Sequence, residues 1–326
     1  MLACRHLLPA SSEAIIAFRA LRNLPLSATY NISNRRFRPK LIATPPLTFS
    51  SPLTTTTTTM SAAKRQKTAK EGVPYELIYW PGIPGRGEHV RLLLEEAGAK
   101  YTDTAQQPPE NGGGAKPVVA MISEKNVGDE ANPPYLAPPF LRHGDLVLSQ
   151  TPNILMYLAP RLGLAPKPED DVDEDAIYRL NSLVLTALDG LSSEVHDCHH
   201  PIAVSLFYED QKDEALRRSK DYVTNRLPKF LGYFERVLKG KASGEGPWLY
   251  GGRFTYADLV LFQCMDGLKF MFPKAMELME KEHKGVFELY EAVKERPNIK
   301  EYLASDRRQK YSQGIYRHYD ELDVTE

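Results

Sequence analysis

Between residues 75 and 80 the apolar side chains alternate over two faces. Tyr75, Leu77 and Tyr79 fall on one face, Ile78 and Trp80 on the other, which predicts a strand covered on both sides. After "PGIPGRGE" the period changes: Val90, Leu93, Leu94 and Ala97 recur at helical spacing, and Gly98 stands where a helix ends in a left-handed residue. "KYTDTAQ" reads as a second short strand, and 108–134, with "NGGG" and several prolines, as an irregular stretch. "PFLRH" and "LVLS" flank "GD" as a hairpin, followed by a helix with Thr151 as cap and Pro152 as first residue.

From Asp173 onward the pattern is helical throughout. Ile177, Leu180, Val184, Leu188 and Leu191 share a face until Pro201, and a second long helix covers about 209–239 with a kink at Pro228. A third begins at "FTYADLVLF", apolar all round and therefore buried, with Thr255 as N-cap and Asp258 reaching back to it. These patterns divide the chain into a leader (1–72), a mixed α/β region (73–164), a linker "APKPEDDVDED" (165–175) and an all-helical region (176–326).

Composition is that of an ordinary globular chain, 42% apolar and 25% charged over 326 residues. Charge is unevenly placed. Residues 1–70 hold 11 of the 41 Lys and Arg but one of the 42 Asp and Glu, so the remainder stands near −11. An acidic body repels phosphate backbones, which argues against nucleic acid as a partner. No apolar run reaches the length of a membrane span, so no membrane partner is expected. Three cysteines, Cys4, Cys198 and Cys264, form neither a CxxC pair nor a disulfide framework.

The leader is rich in Arg, Ser and Thr, and "SSEAIIAFRALRNL" can form a short basic amphipathic helix, the pattern of a mitochondrial transit peptide. The alternative is translation from Met60, whose "MSAAKRQKTAKEG" reads as a cytoplasmic N-terminus.

"SSEVHDCHHPI" gathers Glu194, His196, Asp197, Cys198, His199 and His200 at a helix end. At this spacing His196 shares a face with His199 and His200, a zinc-like arrangement. Capping of helix carbonyls and interaction with the helix dipole explain the same residues without a ligand, and the expectation is no metal.

In sequence order, "LIYWPGIPGRGEHVRLLLEEAG", "APPFLRHGDLVLSQTPNILMYL", "GGRFTYADLVLF" and "ERPNIKEYLAS" together make the chain resemble the glutathione S-transferases of the tyrosine type along essentially the whole body. The resemblance implies a thioredoxin-like N-terminal domain and an all-α C-terminal domain, with glutathione thiolate attacking an electrophilic, mostly apolar small molecule in a detoxifying reaction. It implies Tyr79 as the catalytic hydroxyl, and Arg86, Pro138, Pro139, Gln150 and Thr151 as glutathione-binding residues, with Pro139 after a cis bond. His196, Asp197, His199 and His200 are its candidates for the second-substrate site. Glutathione is then a co-substrate, no cofactor is expected, and a homodimer is implied. Pro138 departs from the family pattern because it has no N–H to offer the cysteinyl part of glutathione. The alternative class is a non-catalytic binding or regulatory module on the same fold.

Overall fold

The computed structural model describes residues 72–166 and 173–325, which belong to one compact unit. The leader, apart from Gly72, and residues 167–172 of the linker lie outside the described residues. Four strands form the sheet: β1 (Tyr75–Ile78), β2 (Tyr101–Asp103), β3 (Phe140–His143) and β4 (Leu146–Ser149). Their order is β2-β1-β3-β4, with β1 parallel to β2 and antiparallel to β3, and β3 antiparallel to β4. Leu77 packs with the helical core of one face and Ile78 with Val118 and Phe140 on the other, so the two-sided burial read from the strand pattern is real.

Helix α1 (Glu88–Glu96) connects β1 to β2 and ends at Gly98, whose φ of +60° is the left-handed conformation expected there. The stretch 108–134 contains a helix the sequence pattern hid, α2 (Lys116–Met121). It is only six residues long and buries one side chain, Val118, too few positions to establish a period. Helix α3 (Thr151–Arg161) follows β4. Its N-cap is Gln150, and Thr151 is its first residue, a one-position correction to the expected cap.

The helical region starts with α4 (Ala176–Leu188), which passes through a π turn at Asp189–Ser193 into the short α5 (Glu194–His196). Helix α6 (Lys212–Asp221) passes through a second π turn, Tyr222–Arg226, into α7 (Leu227–Leu238). Pro228, expected as a kink, sits in the first turn of α7 directly after this wider turn. Proline has no N–H for the helical ladder and its ring crowds the carbonyl four residues back, and a π turn relieves both. The two π turns meet: the Tyr222 hydroxyl donates to the Gly190 carbonyl at 2.9 Å, and a Cβ on Gly190 would lie 2.3 Å from the Phe230 ring.

Helix α8 (Tyr256–Met271) is buried on nearly every side. Its cap works from inside the core: Asp258 accepts hydrogen bonds from the Leu249 N–H (2.8 Å), the Thr255 N–H (2.7 Å) and the Thr255 hydroxyl (2.9 Å). Helices α9 (Pro273–Glu282), α10 (Lys284–Lys294) and α11 (Pro297–Ala304) complete the bundle.

Beyond α11 the chain has almost no regular structure and instead runs back over the molecule. Ser312 donates to the Gly82 carbonyl at 3.2 Å, the Tyr316 hydroxyl donates to the Leu191 carbonyl at 2.8 Å, and Tyr319 stacks on Tyr208. Asp323 accepts from the first amides of α9, those of Lys274 and Ala275, and so caps that helix from the tail. Among the described residues no helix is long and apolar enough to cross a membrane.

Candidate active site

Strand register brings the site together. Ile78 pairs with Phe140, and Phe140 with Ser149, so one position further along Tyr79, Pro139 and Gln150 stand at the same end of the sheet. The bond between Pro138 and Pro139 is cis. Gln150 is the one non-glycine at positive φ among the described residues (+69°), a conformation that costs on the order of 1 kcal/mol or more and marks the head of α3 as constrained. The Thr151 hydroxyl lies 3.4 Å from the Arg86 carbonyl, tying the start of α3 to the turn before α1. The turn that leads into α1 and the start of α3 are therefore tied together at the Tyr79 end of the sheet.

Tyr79 is 5% exposed, with its ring pressed under the turn. The Arg86 backbone N–H donates to its hydroxyl oxygen at 2.8 Å. Two glycines make that approach feasible: a Cβ on Gly85 would fall 2.2 Å from the Tyr79 hydroxyl, and one on Gly87 2.6 Å from the ring. Burial raises the phenol above its ordinary range, outweighing the hydrogen bond from Arg86 and the nearby charges of Arg91 and Arg86. The phenol therefore keeps its proton at neutral pH. With one lone pair already taken by Arg86, the O–H remains available as a donor.

The turn is held by charges that the sequence reading did not single out. Arg91, fully buried, donates to Asp103 at 2.6 Å, to Glu88 at 3.0 Å and to the Pro84 carbonyl at 3.2 Å. Glu88 also receives the Tyr302 hydroxyl (2.6 Å) and pairs with Arg308, which in turn reaches Asp266 at 2.7 Å. Burial pushes the Glu88 carboxyl up, but Arg308 and Arg91 together bring it below the usual carboxylate range. Nothing in the local pattern signals these contacts, because Glu88 and Tyr302 are 214 positions apart.

The Arg86 guanidinium crosses to the helical region and donates to the Ser193 hydroxyl at 2.6 Å, in the π turn that leads to His196. This links the Tyr79 turn to the histidine cluster. His196 is half-buried and Asp197 exposed, whereas His199 and His200 are buried behind them. Of the four expected second-substrate residues, only His196 and Asp197 present side-chain surface to solvent. Burial lowers all three histidines, His199 to about 3 and His200 to about 4, with Arg317 adding to the effect at each.

A family model described as "Glutathione S-transferase, C-terminal domain" matches residues 196–306. The glutathione S-transferase of Plasmodium falciparum (isolate 3D7) is 26% identical over 241 residues, covering 72% of this chain and 98% of that protein. Glutathione S-transferase P 1 of Xenopus laevis is 27% identical over 241 residues, covering 72% of this chain and 94% of that protein.

Residues 196–306 match the glutathione S-transferase C-terminal domain, and over 72% of its length the chain is similar to glutathione S-transferases.

Among solved structures, prostaglandin synthase D of Nilaparvata lugens shares the fold of this chain, with a TM-score of 0.53 at 17% identity over 72% of this chain and 98% of that one. The thioredoxin-like sheet and helical bundle expected from the sequence are the architecture observed.

Proposed function

We propose that the protein is a glutathione transferase in which the Tyr79 hydroxyl donates a hydrogen bond to the glutathione sulfur and stabilises its thiolate for attack on an electrophilic carbon. The observation that carries this reading is the 2.8 Å hydrogen bond from the Arg86 N–H to the Tyr79 oxygen. It occupies the oxygen as an acceptor, fixes the ring, and leaves a neutral O–H to act outward. A thiol near pKa 8.5 needs about 2.7 kcal/mol of differential stabilisation to ionise two units lower. One charge-assisted hydrogen bond plus the positive end of α1 is sufficient.

In this reading Gln150 and Thr151 hold the γ-glutamyl carboxylate and Pro139 shapes the cysteinyl position with the Pro138 carbonyl as its acceptor, which the constrained start of α3 and the cis bond support. His196 and Asp197 border the electrophile. This chemistry draws on no metal or redox cofactor. The proposal extends to a homodimer with a detoxifying role, mitochondrial if the leader is used and cytoplasmic if translation starts at Met60.

Calorimetric titration of the full chain with glutathione, together with the ultraviolet absorbance of bound thiolate near pH 7, tests the assignment. Binding with thiolate in the wild type, and binding without thiolate in Tyr79→Phe, is the expected result. Absence of binding at millimolar glutathione overturns it in favour of a binding module on the transferase fold, a reading that the missing Pro138 N–H and the near-closure of Tyr79 would then explain.

A further inference from the structure

We propose that His196, His199 and His200 form a binding site for one divalent zinc-class cation, a function beyond the proposed transfer reaction, with Asp197 as the fourth ligand. One nitrogen from each of the three rings lies within 4.8 Å of the others, and the ring centroids are 4.7 to 5.1 Å apart. Helical geometry places His196 over His199 and His200, with the amides of both donating to the His196 carbonyl at 3.2 Å. No repacking of the backbone is needed to gather them.

The hydrogen bonding of His199 is that of a ligand. Its Nε2–H donates to the Ile315 carbonyl at 2.8 Å, which fixes the tautomer and turns the Nδ1 lone pair into the cluster. Metal-bound histidines characteristically use their second nitrogen in this way, because it orients the ring and raises its basicity. His200 directs its own Nδ1 at that lone pair from 2.5 Å. It meets the lone pair by carrying its proton on Nδ1; in its other neutral tautomer both nitrogens face the same point. Ligands of a tetrahedral zinc ion at about 2.0–2.1 Å lie roughly 3.3 Å from one another, so the two rings need separate by less than about 1 Å.

The charges around the cluster select the fourth ligand. Arg317 stands near all three rings and Arg86 near His196, so the cluster lies in a positive field. The same cations oppose a bare dication, so an anionic ligand is required. Asp197 has a carboxylate oxygen 3.9 Å from His196 Nδ1, and its half-exposed side chain is free to swing in. Glu194 is already held by Arg226 at 2.8 Å and Arg218, and Cys198 turns its thiol away toward the Glu194 carbonyl at 3.5 Å. Three neutral imidazoles and one carboxylate suit zinc best among biologically common ions, with nickel and copper as competitors.

The test is calorimetric titration of the chelator-treated full chain with zinc sulfate at pH 7.5, without glutathione, which itself binds zinc. Cobalt substitution supplies a second readout through the intense visible bands of four-coordinate cobalt. One ion per chain is expected, with affinity falling at least tenfold in His196→Gln and in His200→Gln, and cobalt bands weakened in Asp197→Asn. His196→Gln alters a half-exposed residue, so circular dichroism matching the wild type keeps the comparison meaningful even if His200→Gln unfolds. Zinc binding that is substoichiometric, or unchanged in a folded His196→Gln variant, overturns the proposal.

Discussion

The backbone N–H of Arg86 donates to the Tyr79 hydroxyl across a turn whose two glycines leave no room for a side chain. The hydroxyl is thereby an acceptor toward its own chain and a donor toward a ligand. Replacement by phenylalanine removes both roles. Tyr79→Phe is expected to lower kcat/KM by about 10²-fold, the usual consequence of losing one oxyanion donor, and to move the acid-side limb of its pH profile upward as the bound thiol reverts toward its free value. The buried Arg86 N–H is left without its acceptor, so stability also falls, by about 1–2 kcal/mol. A pH profile of kcat/KM, with urea midpoints for both proteins, checks the two effects separately.

Gly85→Ala places a methyl group 2.2 Å from the Tyr79 oxygen on a residue whose φ is +50°. Either the tyrosine moves or the turn does, and activity should drop at least as far as in Tyr79→Phe, with a loss of roughly 2–4 kcal/mol in stability. Gly82→Ala is the control. Its φ is +75°, but a methyl there meets nothing within 4 Å, so only the backbone cost of about 1 kcal/mol and near-normal activity are expected. If the two variants lose the same activity, contact with Tyr79 is not what Gly85 provides.

Arg308→Met leaves Glu88 with part of its compensation gone, and Arg91 cannot neutralise both Glu88 and Asp103 equally well. A loss of about 3–5 kcal/mol is expected from removal of one partner of a buried ion pair. The pH sign follows from Glu88, whose carboxyl is held below its unfolded value. Its contribution is present above about pH 4.5 and lost as pH falls through the lower, folded value. Denaturant midpoints between pH 3 and 6 should therefore show a shallower acid loss in Arg308→Met than in the wild type.

The histidine cluster acts in a different window. His199 is lowered from 6.5 to about 3 and His200 to about 4, both chiefly by burial. Neutral rings cost nothing above pH 6.5; below it the unfolded chain takes up protons that the folded chain refuses, so stability falls as pH drops toward 4. His199 alone accounts for about 3 kcal/mol between pH 6.5 and 4. His199→Gln, compared with the wild type at pH 7 and 4.5, should show a reduced difference between the two midpoints. An unchanged difference would place the acid sensitivity elsewhere.

Several features could be read from the chain because their causes are local. Thr255 and Asp258 are three residues apart, Gly98 directly follows its helix, and the strand pattern of Leu77 and Ile78 needs only its two neighbouring layers. Tyr79, Gln150 and Thr151 were legible through the motifs around them, and their placement follows from strand pairing. The buried network was not. Glu88 and Arg91 at i, i+3 look like a solvated helix face, and only Tyr302 and Arg308, more than two hundred positions later, turn that face into core. The two π turns were equally silent, since an extra residue in a helical turn shifts the period without interrupting it.

The irregular segment after α11 places Ser312 on the turn at Gly82, Ile315 on His199 and Asp323 on the head of α9. All three lie later in the chain than the turn, the histidine cluster and the helix they hold. The sheet, the Tyr79 turn and both π turns can all be synthesised before any of these contacts exists. A nascent chain therefore holds the Tyr79 turn and the histidine cluster incompletely braced until residues 312–323 have been made and folded back over them.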